Sequence, residues 1–243
     1  MTTELVQLFA EFVDVPEEEI QRGVENFAAA NVHEWARTSG ESWADKAATF
    51  YSTAPGYVFD LIHGNKSREH LREVYQRYGH WDYIANSGQD VLEFGGGLGM
   101  ACSIFRDLGR RVTYVDVDGP ASQFARWYFG TKGYPDIEVC LVEPEELVLP
   151  ENRQWDFVFS DSVIEHLIDP VGTVETLARA VKPGGLLYLI IDAHAVDPAF
   201  PMHRHIFIDE LIDACPTLRE MTRVRHEGDV VNAFRRQLAA TPA

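Results

Sequence analysis

Val91-Leu92-Glu93-Phe94-Gly95-Gly96-Gly97-Leu98-Gly99 decides the fold. A short apolar run of strand character passes into a glycine-rich turn, and the residues from about 98 to 109 are spaced as an amphipathic helix. Such a turn lets the backbone come close to a nucleotide. A dinucleotide fingerprint wants Gly-x-Gly-x-x-Gly, so that a pyrophosphate can rest on the helix N-terminus. Both registers fail here: the third position is Met100 counting from Gly95 and Cys102 counting from Gly97. The pattern present is acid-x-Gly-x-Gly-x-Gly, with Glu93, Gly95, Gly97 and Gly99 in place. A carboxylate at that strand end repels a pyrophosphate.

From residue 89 onward, short β-branched runs alternate with amphipathic segments, the texture of a parallel sheet wrapped by helices, so the fold class expected is α/β. Strands are predicted near 90–94, 111–116, 137–142, 155–160 and 186–192. Helices are predicted near 98–109, 119–131 and 170–181, the last followed by a turn at Lys182-Pro183-Gly184-Gly185. Residues 209–214 read as a short helix and 219–236 as two further strands with an antiparallel ending.

Upstream, residues 1–88 are predicted to be helical. Leu5, Leu8, Phe9 and Phe12 stand at helical spacing, with a break near Asp14. Pro16 suits the first turn of the next helix, and Glu17, Glu18 and Glu19 suit the positive end of its dipole. Ile20, Val24, Phe27 and Trp35 then mark one apolar face. Residues 43–59 carry Phe50, Tyr51 and Tyr57 around Pro55-Gly56, which predicts short helices about a turn, and 67–79 resume a helical pattern. Aromatic stripes of this kind pack cores more often than they line pockets. The expected division is a helical, substrate-binding cap over 1–88 and a nucleotide-binding catalytic domain over 89–243.

With Glu93, Gly95, Gly97 and Gly99 in place, the chain resembles the class I S-adenosylmethionine-dependent methyltransferases. The resemblance implies a Rossmann-like fold, a mainly parallel seven-stranded sheet with an antiparallel C-terminal strand, and S-adenosyl-L-methionine as cofactor. The ammonium and sulfonium of that molecule suit an acidic strand end. Val112-Thr113-Tyr114-Val115-Asp116 ends in a carboxylate about 20 residues beyond the glycines, where a strand-end acid can accept both ribose hydroxyls. Asp116 is therefore the expected ribose ligand, and by the resemblance Val117 lies against the adenine, while Asp118 is equally a helix cap. Val142-Glu143-Pro144-Glu145-Glu146-Leu147 is similar to the family's Gly-Asp-Ala-Glu-Glu-Leu element, which maps recognition of the adenine amino group to Glu143; a solvated loop carboxylate is the alternative. Asp161-Ser162-Val163-Ile164-Glu165-His166-Leu167-Ile168-Asp169-Pro170 strongly resembles the family's Glu-His-leucine/valine-x-Asp-Pro segment, and places Ser160 and Asp161 at the methionine end. These elements cover most of residues 89–192.

His166 has an unperturbed pKa suited to a general base and is a candidate for one, but the resemblance favours a histidine that braces the loop, since it occurs in family members with very different acceptors. His194, His203 and His205 crowd the segment after the fifth strand, where the family places acceptor-facing loops. They are candidates for a base, for a metal site with Asp192 or Asp209, or for histidines bonded to backbone. Their spacing matches no tight metal signature, and no metal is assigned. Tyr51 and Tyr57 are expected to close over the cofactor and shape the acceptor pocket.

Lysine plus arginine total 21 against 38 aspartate plus glutamate, a net charge of −17, which opposes nucleic acid and anionic membranes as partners. Cys102, Cys140 and Cys215 are odd in number and widely spaced, so neither a disulfide framework nor a zinc knuckle is expected. Residues 1–12, MTTELVQLFAEF, are acidic and lack a signal-peptide run, and a cytoplasmic location is expected. The expected activity is methyl transfer to an oxygen, nitrogen or acidic carbon of a small-molecule metabolite. Small polar or carboxylated acceptors and a homodimeric assembly are both admitted. The loop histidines point toward oxygen or acidic carbon, since an amine need only arrive unprotonated. The rivals are a protein that binds the cofactor without methylating, an enzyme that uses the sulfonium otherwise, and a nicotinamide-dependent oxidoreductase, which the displaced third glycine disfavours.

Overall fold

The computed structural model describes residues 3–145, 147–150, 153–192, 198 and 200–238. Among the described residues, seven helices precede the first strand: α1 (Glu4–Val13), α2 (Glu17–Glu25), α3 (Phe27–Arg37), α4 (Trp43–Thr53), α5 (Tyr57–Asn65), α6 (Arg68–Arg77) and α7 (Trp81–Ala85). Their ends follow local chemistry. Thr3 caps α1, which stops where Asp14 turns left-handed at φ 56°. Ser42 and Asp45 form a reciprocal capping box at α4, and the Ser67 hydroxyl accepts the His70 N–H at 3.0 Å to start α6. The apolar face expected to run from Ile20 to Trp35 is broken at Asn26, which has φ −115° between α2 and α3. Ile20 and Val24 therefore join the main core, whereas Trp35 packs against Phe50 at a ring distance of 5.5 Å.

The strands β1 (Asp90–Phe94), β2 (Arg111–Val117), β3 (Glu138–Val142), β4 (Trp155–Asp161), β5 (Val181–Ile190), β6 (Thr222–Glu227) and β7 (Val231–Arg235) form one sheet of order β3-β2-β1-β4-β5-β7-β6. The first five are parallel, and β7 enters between β5 and β6, antiparallel to both. The order reverses between β1 and β4, which opens a crevice at their carboxyl ends. Both faces are covered, and so the central strands are almost continuously apolar. One face lies under α8 (Met100–Asp107), α9 (Pro120–Lys132) and the N-terminal helices; Phe9 of α1 meets Phe124 of α9 at 5.5 Å. The other lies under α10 (Pro170–Ala180), α11 (Ile208–Ala214) and α12 (Pro216–Glu220), around the fully buried Trp155, whose Nε1–H donates to Thr113 Oγ1 at 3.1 Å.

The turn expected at Lys182-Pro183-Gly184-Gly185 is instead an irregular start of β5, where the register against β4 shifts. Pro183 has no N–H to give to a ladder, but Gly184 N–H donates to Arg236 O at 2.8 Å and Arg236 N–H to Gly185 O at 3.0 Å, so the segment pairs outward. No described helix is long and apolar enough to cross a membrane. A third cluster of Phe50, Ala54 and Met202, flanked by Trp35, Tyr51, Tyr57 and Phe200, draws α4, α5 and the segment after β5 together above the crevice.

Candidate functional site

At the carboxyl ends of β1, β2 and β4 lies a cavity of about 430 Å³, within the roughly 300–1,000 Å³ usual for ligand sites. Its sheet-side wall holds Glu93, Gly95, Gly97, Asp116, Val117, Glu143 and Asp161. Gly95 and Gly99 have φ of 71° and 77°, and an added Cβ would meet Val163 Cγ2 at 2.2 Å and Phe129 Cζ at 2.5 Å. Gly95 turns the chain at the cavity, while Gly99 lies behind it and lets α8 approach α9. Gly97 lines the cavity, and a Cβ there would sit in ordinary contact with Leu61 Cδ1 at 3.5 Å.

The carboxylates on this wall are held differently. Asp116 accepts the N–H groups of Gly97 and Val117, both at 2.7 Å, and fixes the glycine turn to the end of β2. Asp161 accepts the hydroxyls of Tyr75 and Ser162, each at 3.0 Å. Burial raises the pKa of both. Glu93 is 5% exposed, its Oε2 has no partner among the described residues, and burial pushes it up to about 8. Glu143 is exposed at the rim. Ser160, expected beside Asp161, does not line the cavity. Successive side chains of a strand point to opposite faces, and Ser160 is wholly buried in the sheet layer.

The opposite wall is built from Tyr51, Tyr57 and Asp60 of α4 and α5, together with His166, Asp192, Phe200 and His203. His166 closes a short 3-10 turn, Ile164–His166, and its Nδ1 is hydrogen-bonded to Tyr51 Oη. Burial, reinforced by His203, holds His166 well below the usual imidazole value, and burial pushes Tyr51 up, so both are neutral at pH 7. The His203 ring meets that of His166 edge-on at 4.3 Å, with its Nδ1 3.8 Å from Asp192 Oδ2. Arg204 anchors this segment: its N–H donates to Glu165 O at 2.8 Å and its guanidinium to the carbonyls of Leu167 and Ile168, each at 3.1 Å. His205 is exposed against Phe207 and turns away from the cavity, because neighbouring Arg204 is fixed inward. His194 lies outside the described residues. Among those described, no three His, Cys, Asp or Glu side chains converge as for a metal.

Three participants escaped the sequence reading. Tyr75 reaches Asp161 from α6. Glu165, wholly buried, accepts the Asp192 N–H at 2.7 Å and so ties the 3-10 turn to the end of β5, and burial pushes it up to about 8. Asp60 accepts Asn31 Nδ2–H at 2.9 Å, and burial raises it to about 6. Its signal was present, as an acid within the apolar run Tyr57-Val58-Phe59-Asp60-Leu61-Ile62.

Among the described residues, six carboxylates line the cavity (Asp60, Glu93, Asp116, Glu143, Asp161 and Asp192) and no lysine or arginine does. This set fits a cationic ligand such as S-adenosylmethionine, and the buried Glu93 Oε2, which has no partner among the described residues, suits it further. A pyrophosphate would meet repulsion throughout.

Residues 65–227 match the family described as "Methyltransferase domain". A protein of Mycobacterium tuberculosis named "Probable S-adenosylmethionine-dependent methyltransferase" is 32% identical over 180 residues, covering 64% of this chain and 63% of that protein. A ubiquinone biosynthesis O-methyltransferase of Paracidovorax citrulli is 32% identical over 101 residues, 42% of each chain. The chain thus spans less than two thirds of the length of these relatives. Among solved structures, an O-methyltransferase family protein from Burkholderia thailandensis shares the fold at 12% identity, with a TM-score of 0.56 over 90% of this chain and 72% of that one. With the acidic glycine turn, the strand order and a family match over residues 65–227, the chain belongs to the class I S-adenosylmethionine-dependent methyltransferases.

Proposed function

We propose that the chain is an enzyme that transfers the methyl group of S-adenosylmethionine to a hydroxyl oxygen of a small molecule. The observation that carries this is the neutral Tyr51–His166 pair on the wall facing the glycine turn. An amine acceptor would not need it, whereas a hydroxyl must lose a proton as its bond to carbon forms. The O-methyltransferase names among the relatives support the same choice.

In this reading residues 89–243 hold the cofactor and residues 1–88 cap the acceptor. Asp116 takes the ribose hydroxyls, Val117 and Glu143 face the adenine, and Glu93 and Asp161 lie toward the cationic methionine end. When bound, the cofactor supplies a methyl group activated by the positive sulfur beside it. Tyr51 fixes the imidazole through Nδ1, and His166 takes the acceptor's proton. The positive charge the ring then gains lies in a cavity whose lining also holds Asp161 and Asp192, so a base with a depressed resting pKa still protonates during the step. Tyr57, Leu61 and Phe200 exclude water, and most of the rate comes from orientation.

The test is turnover against a panel of small alcohols and phenols, with S-adenosylhomocysteine and the methyl ether identified by mass spectrometry. His166→Ala should lower kcat by about 10²–10⁴ while leaving S-adenosylhomocysteine affinity intact. Methylation at nitrogen or carbon, or an unchanged rate in the variant, would overturn the oxygen assignment. Tight cofactor binding with no turnover of any acceptor would favour a binding protein instead.

A further inference from the structure

Asp60 stands apart from the cavity's other carboxylates. It comes from α5, among the N-terminal helices, rather than from a strand end. It forms no ion pair with a described residue, although it points into a cavity and its carboxyl is largely buried. Its orientation is fixed by Asn31, which is wholly buried on α3, gives its Nδ2–H to Asp60 at 2.9 Å, and has no described partner for its own Oδ1. A buried amide with an unmet acceptor is unfavourable for folding, so its presence behind a cavity carboxylate is better explained by what that carboxylate receives. Around Asp60 stand the rings of Tyr51 and Tyr57, 5.2 Å apart, with Phe200 on the same wall. Aromatic faces beside a carboxylate are a setting for an ammonium group.

We infer that the acceptor is a hydroxylated amine, whose ammonium group is received by Asp60 beside the packed Tyr51–Tyr57 pair while its hydroxyl is presented to His166. The inference rests on the O-methylation proposed above and names its substrate class. It sets aside the carboxylated acceptors that composition alone admitted, since no described lysine or arginine on the wall would receive them. Asp60 is thereby a specificity-determining residue: it binds a remote group and takes no part in proton transfer.

Protein loaded with S-adenosylhomocysteine is titrated calorimetrically with three phenols of similar ring and different tails: tyramine, para-ethylphenol and phloretate. Tyramine should bind about tenfold or more tighter than para-ethylphenol, and phloretate weakest of all. Asp60→Asn should bring tyramine down to the level of para-ethylphenol with S-adenosylhomocysteine affinity unchanged, which also shows that the variant is folded. Asn31→Leu, which keeps Asp60 but frees it, should lose part of the preference. Phloretate binding as tightly as tyramine, a preference that survives Asp60→Asn, or no binding by any of the three would overturn the inference. So would a matching loss of S-adenosylhomocysteine affinity in Asp60→Asn, which would give Asp60 to the cofactor. Failure of the wild type to bind S-adenosylhomocysteine would instead refute the parent proposal.

Discussion

The two walls of the cavity are made differently. The sheet-side wall is assembled from strand ends and the turns that leave them: Glu93 to Gly97, Asp116 with Val117, and Asp161. Each piece is continuous in the chain, and much of its binding surface is backbone. The helical wall brings Tyr51, Tyr57 and Asp60 against His166 and His203, side chains more than 100 residues apart, with Tyr51 bonding His166 across 115 positions. A wall of backbone and strand-end acids can serve one unchanging ligand, whereas a wall of helical side chains can be re-cut without disturbing the sheet. This is the division expected if the cofactor lies on the first and the acceptor on the second.

The largest effect that tests the division lies on the sheet side. Asp116→Ala removes the acceptor for two backbone N–H groups and the proposed ribose ligand together. Affinity for S-adenosylmethionine and S-adenosylhomocysteine should fall by about 100-fold, measured by calorimetry. Undiminished affinity would break the assignment of that wall to the cofactor.

A smaller and opposite signature is expected across the cavity. Tyr51→Phe keeps the ring against Tyr57 and His166 but deletes the hydroxyl that holds Nδ1. kcat should drop by about tenfold, with S-adenosylhomocysteine affinity unchanged, because the lost contact orients a base and binds no cofactor. A fall in cofactor affinity equal to the fall in kcat would erase the contrast between the walls.

The same difference governs what the sequence could disclose. The acid-and-glycine turn carries its meaning in nine consecutive residues, since left-handed glycines at 95 and 99 and an acid at 93 are local requirements. Strand placement was legible for the same reason, with the buried central strands visible as apolar runs. Ser160 and Asp161 show the limit of such reading: adjacent in sequence, they point to opposite faces, and which of them meets the cavity depends on strand phase. The break at Asn26 was hidden because Ile20 through Trp35 keep helical spacing across it. Asp60 and Glu165 could be seen as anomalies, but their partners Asn31 and Asp192 stand 29 and 27 residues away, and only packing joins them.

The smallest predicted effect separates two acids of similar burial. Glu93 and Glu165 are each pushed up to about 8 by burial, against about 4.3 for a free glutamate. Between those values the unfolded chain has released protons that the folded chain keeps, so the stability these groups lend is full below the lower value and is lost as pH rises toward the upper one. Asp116 and Asp161, raised in the same sense, add to the slope. The melting temperature of the ligand-free protein should therefore decline between about pH 5 and pH 8. Glu165→Gln and Glu93→Gln should each flatten part of that decline, since a neutral amide occupies either site without ionising. Only Glu93 lines the cavity, with an oxygen that has no described partner, so only Glu93→Gln should also weaken S-adenosylmethionine, whose positive charge favours the ionised acid. Equal losses of cofactor affinity in both variants would mean that the boundary between the walls does not run between these two residues. An unchanged affinity in Glu93→Gln would remove the acid of the glycine turn from cofactor recognition altogether.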